Sequence, residues 1–151
     1  MKPTFTNNET YFLIGLVILT VIYTIYINFM YVTNYKLFSK LYSETTDFNE
    51  VKKQFELNVF YTYFILTIDF LYLITSVYFF VNNKIKTLIF GLICLFMFIK
   101  GFSGMIRYYI LHTNETKLGD LFLKYIHNIM VFDNFVALLA SIYFIKIIFF
   151  N

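Results

Sequence analysis

The sequence predicts an all-α integral membrane protein, an antiparallel bundle of four transmembrane helices with short interfacial helices in connections one and three. Three observations predict it. Hydrophobic residues make up 60% of the chain and charged residues only 14%. The apolar residues gather into four long runs rather than the amphipathic periods of a soluble core. Each run reaches the roughly 20 residues that cross hydrocarbon at helical rise.

The spans are 11–32, 58–81, 87–111 and 128–150. They nearly exhaust the 151 residues, so no extramembrane segment is long enough to bury its own core, and the whole chain, 1–151, is expected to form one transmembrane domain. The apolar run of 11–32 is much longer than a signal-peptide core, and no small-residue cleavage site follows it. It is therefore expected to remain in the mature protein.

The net charge of +3 comes from lysines at the span edges, where they anchor helices at interfaces. That distribution is no nucleic-acid footprint. Cys94 is the only cysteine and lies inside span three, which excludes an internal disulfide, a CxxC pair and a thiolate zinc cage. Phe, Tyr, Ile, Asn and Lys are abundant while Ala, Gly, Pro and Arg are scarce, the usage of an AT-rich genome. Trp is absent, and Tyr takes its interfacial place.

In connection one, Asp47 with Glu50 three residues on predicts a capping box opening a helix that carries Phe48, Val51 and Phe55 and runs into span two. Asn82 and Asn83 supply turn chemistry between spans two and three, giving a tight hairpin. Connection three, 112–127, carries Leu118, Leu121, Phe122 and Tyr125 at the spacing of a short surface helix, with Gly119 weakening it. Lys36, Lys40, Lys52, Lys53, Lys117 and Lys124 flank connections one and three, against Lys2, Lys84 and Lys86 on the other side. This bias places both termini on the outer face. Sequons at Asn8 and Asn114 fall on opposite faces in this topology and read as chance matches in an Asn-rich chain.

Ionisable residues inside spans are costly and hence informative. Four lie well inside the spans: Asp69, Lys100, Arg107 and Asp133. Measured from the face of connections one and three, Asp69 and Lys100 are both about 16 Å deep at helical rise, so they are expected to pair at mid-bilayer. Arg107 and Asp133 lie nearer that face and form a second, shallower pair. Polar or small residues mark one face of every helix. These are Thr20, Thr24 and Asn28 on span one and Thr62 and Ser76 beside Asp69 on span two. Span three has Ser103 and Gly104 between Lys100 and Arg107, and span four has Ala137, Ala140 and Ser141 beyond Asp133. Turned inward, the four faces enclose two layers of ion pairs.

Such pairs fix helix register and partner choice, because a wrong packing leaves a charge unpaired. The alternative is a small proton- or ion-coupled carrier using Asp69 and Lys100. Charge balance opposes it, since a carboxylate neutralised by a fixed base holds no proton at neutral pH. A second alternative is a haem- or metal-binding subunit using His112 and His127, which bracket connection three; two ligands alone make a weak set. There is no HExxH, GxSxG or Gly-rich phosphate loop, so no enzyme, cofactor or soluble substrate is expected. The paired cysteines of thiol-oxidising quinone reductases, the first-span Glu of small multidrug transporters and the intrahelical His residues of cytochrome anchors are all missing from the four spans. What remains is a structural or accessory subunit of a larger membrane complex, with lipids and other membrane subunits as partners.

Overall fold

The computed structural model describes residues 4–33, 49, 52–53, 59–112 and 116–150. It contains four long helices: α1 Asn7–Thr33, α2 Val59–Val81, α3 Leu88–His112 and α4 Thr116–Phe149. All four are long and apolar enough to cross a membrane, consistent with a multi-pass membrane protein.

Local chemistry explains the described ends. Thr6 and Glu9 form a reciprocal capping box at the start of α1: the Thr6 N–H donates to Glu9 Oε2 at 2.6 Å, and the Glu9 N–H donates to Thr6 Oγ1 at 3.3 Å. The helix therefore begins at Asn7, before the hydropathy boundary at Tyr11, and takes Glu9 into its first turn. Asn83 ends α2 in the left-handed region at φ 50°. The Lys84 N–H then reaches the Phe79 carbonyl at 3.0 Å and the Asn83 N–H the Phe80 carbonyl at 3.2 Å, the paired bonds of a Schellman cap. Thr87 caps α3 by accepting from the Phe90 N–H at 3.2 Å.

The sequence predicts a short surface helix leading into span four; in the structure those residues are helical and continuous with the span, giving a single helix of 34 residues, about 51 Å long, with no break at Asn128. Gly119 is buried within it and does not interrupt it, because one glycine costs an α-helix only about 1 kcal/mol. The capping box expected at Asp47 and Glu50, with Phe48, Val51 and Phe55, lies outside the described residues.

The helices pack in a ring in which α3 contacts α2 and α4 while α1 closes against α4 and, less extensively, α2. Contacts between α2 and α3 run outward from the turn, Phe79 meeting Phe90, Asp69 meeting Lys100 and Tyr63 meeting Tyr108. Their backbones touch at Gly101, where an added Cβ would stand 2.6 Å from the Asp69 carbonyl and 2.8 Å from the Leu73 nitrogen.

Helical spacing sorts the residues by face. Leu13, Leu16 and Tyr23 of α1, Ile68, Tyr72 and Phe79 of α2, Phe90 and Met97 of α3, and Val136, Ala140 and Phe144 of α4 form the core. Phe80, Leu88 and Leu138 point outward and are more than 60% exposed, whereas Asp69, Lys100 and Asp133 are buried. Apolar side chains outside and charges inside invert the distribution of a soluble bundle.

Candidate functional site

The site is built on α3, where Lys100, Gly104 and Arg107 share one face at helical spacing. Asp69 of α2 enters between the two bases at Gly104, where an added Cβ would stand 2.5 Å from the Asp69 Cβ and Cγ. Glycine is required there because the carboxylate occupies the space any side chain would take. Lys100 Nζ donates to Asp69 Oδ1 at 2.6 Å, and both residues are essentially inaccessible. Arg107 Nη2 lies 3.6 Å from Asp69 Oδ2 and also donates to Asp133 Oδ2 of α4.

The sequence separates these residues into a deep pair and a shallow pair; the structure joins them into one chain, Lys100–Asp69–Arg107–Asp133. The reason is the lean of helical side chains toward the N-terminus of their own helix. Arg107 follows Lys100 by two turns, so its guanidinium swings back past Gly104 to the inner carboxylate. Two acids face two bases, and the enclosed cluster is neutral.

The remaining helix, α1, reaches this cluster through the ring of Tyr23. Lys100 Nζ lies 5.6 Å from the Tyr23 ring centroid of α1 and 5.5 Å from that of Tyr72 of α2, so the ammonium is held by one carboxylate and two π-faces. Thr20 Oγ1 and the Tyr72 hydroxyl share a hydrogen bond of 2.9 Å, tying α1 to α2 at the same level. Neither tyrosine stands out in the sequence, because one aromatic among many carries no periodic signal. The available signal is spacing: Tyr72 follows Asp69, and Tyr23 follows Thr20, by three residues on the same face.

The remaining interior candidates behave differently. Ser76 is buried and Ser103 half-buried, and each donates to a carbonyl of its own helix, Leu73 at 2.7 Å and Lys100 at 2.8 Å. Thr62 is half-buried. Thr24 is exposed rather than interior, with its hydroxyl on the Thr20 carbonyl at 2.9 Å. Residues four apart drift by about 40° around a helix, so a stripe that starts inward at Thr20 leaves the interior within one turn. The Asn28 side chain lies outside the described residues.

His112 is exposed, its Nδ1 2.9 Å from the Tyr108 carbonyl and its ring centroid 4.0 Å from that of Tyr108. The His127 side chain lies outside the described residues. Among the described residues no three His, Cys, Asp or Glu side chains gather to hold a metal.

Between the charged cluster and the α2–α3 turn the bundle is filled by aromatics. Phe79 packs on Phe90 at 5.3 Å and Phe144 at 6.3 Å, Phe90 on Tyr143 at 5.5 Å, and Phe5 covers Phe79 at 5.5 Å. Phe5 is held there by a clasp that the sequence does not announce. Glu9 accepts from the Tyr78 hydroxyl at 2.8 Å and from Lys84 Nζ at 3.2 Å, and Lys84 also donates to the Thr4 carbonyl at 3.3 Å. A Glu thus does sit in the first helix, but at its first turn with every partner supplied. Comparison of the chain with protein-family models, curated proteins and solved structures finds no match.

Proposed function

We propose that the chain is a single-domain, antiparallel four-helix bundle inserted in a membrane. It serves as a non-enzymatic structural or accessory subunit of a larger membrane assembly. The observation that carries this reading is the closed, neutral cluster, in which each acid faces a base and all four helices contribute. Such a cluster specifies which helices meet and in what register. The aromatic packing beside it supports the same reading, since it fills the axis along which a carrier using Asp69 and Lys100 would pass its cargo. With the interior committed, the exposed Phe, Ile and Leu faces are the resource left for contact, with lipid and with neighbouring subunits.

Both termini are placed on the outer face, with connections one and three opposite. The first turns of α4, ahead of the apolar run at Asn128, project from the membrane as a direct continuation of the spanning helix. Cysteine labelling in sealed membranes tests this arrangement: positions 52 and 117 should react from one side and position 84 from the other. Purification in mild detergent with mass measurement tests the role. The expected result is a particle well above 18.2 kDa containing other membrane chains. A lone monomer would count against the subunit role, and a coloured or metal-loaded one would favour a cofactor role for His112 and His127.

A further inference from the structure

Three polar atoms of the charged cluster have no hydrogen-bond partner among the described residues: Asp69 Oδ2, Arg107 Nε and Asp133 Oδ1. Both acids are only 1% exposed, and Arg107 Nε is itself buried. All three atoms adjoin the Arg107 Nη2 group. Asp69 Oδ2 lies 3.6 Å from Arg107 Nη2, Asp133 Oδ1 belongs to the carboxylate already paired with Nη2, and Nε is separated from Nη2 by one guanidinium carbon. Ser141 Oγ faces the Tyr72 hydroxyl instead. It lies eight residues further along α4, about 12 Å away at helical rise, and is not part of this group.

We propose that Asp69, Arg107 and Asp133 bind one captive water molecule. The unpaired set is two acceptors and one donor, which a water matches: its two O–H groups go to the carboxylate oxygens and a lone pair receives the Nε–H. Buried waters typically make about three such bonds. A cation would face the Arg107 N–H, and an anion would face two carboxylate oxygens, so neither fits the set. Buried polar groups are rarely left unpaired, least of all charged ones. The water enters from the Arg107 end, where that side chain is 12% exposed, and stops before Lys100, whose ammonium is closed off by Asp69, Tyr23 and Tyr72. The proposal rests on the geometry of the cluster within the membrane-bundle reading and is independent of any partner subunit.

The composition of the chain makes the test specific. Arg107 is its only arginine and Cys94 its only cysteine, and Cys94 is buried on the same helix. Full-length protein carrying ¹⁵N-arginine and ¹⁵N-cysteine in lipid bilayers therefore gives one guanidinium and one dry reference amide. In water-edited solid-state NMR the Arg107 Nε–H signal should grow at mixing times that leave the Cys94 amide silent. It should survive a membrane-impermeant paramagnetic chelate in the bulk. An Nε–H as silent as Cys94 overturns the proposal, and so does one bleached by the chelate, which would mean an open aqueous cleft. Inequivalent Nη signals report the Asp133 ion pair separately, so a dry Nε beside an intact pair refutes the water and leaves the cluster standing.

Discussion

Replacing Asp69 by Asn and Lys100 by Met, singly and together, tests the cluster through its charge. As built, it holds two acids and two bases. Asp69→Asn leaves Lys100 and Arg107 facing Asp133 alone, a net charge of +1 in a site closed to solvent. Lys100→Met leaves two acids facing Arg107, a net charge of −1. Deleting one member of a buried pair costs about 3–5 kcal/mol, and in a membrane snorkelling and water penetration reduce that figure. Lys100 is the more enclosed of the two bases, so its removal should fall near the upper end. The double variant restores neutrality and keeps the Arg107–Asp133 pair, so it should be at least about 2 kcal/mol more stable than the sum of the single losses predicts. Rescue is incomplete because Asp69 also faces Arg107, and because Lys100→Met removes the cation from between Tyr23 and Tyr72. The assay is reversible unfolding in bicelles, read as the free energy of each of the four proteins. Additive losses would refute the pairing, and single variants as stable as the parent would refute the burial. An Asp69→Asn protein that folds normally but loses a transport activity would put the carrier ahead of the subunit reading.

Gly104→Ala should cost about 1–3 kcal/mol by forcing a methyl group against the Asp69 side chain, whereas Gly15→Ala, with nothing within 4 Å, should be neutral or slightly stabilising in the same unfolding assay. Arg107→Lys should destabilise the bundle, though less than Arg107→Met, because it keeps the charge but gives up the planar group whose Nη2 faces carboxylates on two helices; equal stability of Arg107→Lys and parent would show that charge alone suffices. Glu9→Gln should loosen the clasp without unfolding the bundle, seen as faster hydrogen exchange at residues 4–10 and a loss of stability well below that of Asp69→Asn, and Lys84→Met should do the same.

The depth comparison that matches Asp69 with Lys100 works because a turn of only a few residues joins the two helices and keeps them level, so equal distances from their far ends mean equal height. It carries no information about which way a side chain leans, and that is why the reach of Arg107 past Gly104 to Asp69 does not follow from it. Hydropathy also marks the apolar part of a helix rather than the helix itself. The capping box at Thr6 and Glu9 starts α1 in polar sequence, and α4 begins twelve residues before the apolar run at Asn128. In both cases backbone hydrogen bonding continues where hydrophobicity does not. Tyr23 and Tyr72 are hidden for the opposite reason. In helices rich in Phe, Tyr and Ile on every side, an inward aromatic resembles an outward one until a neighbouring helix supplies the ion it covers.

The use of arginine bears on what the cluster is for. The chain meets its other needs for positive charge with lysine, at the span edges and even at the enclosed position 100. Lys100 has one carboxylate to satisfy and rings on its other sides, which suits a compact point charge. Position 107 alone faces two acids from two helices, and only there does the chain carry a planar, permanently charged fork. A group that must release and recapture protons or cargo gains nothing from a partner that never gives up its charge. A group that must hold α2, α3 and α4 in one register gains from that permanence, since any slip of a helix along its neighbour strands a carboxylate in the interior. The residue choice at 107 therefore points toward a lock.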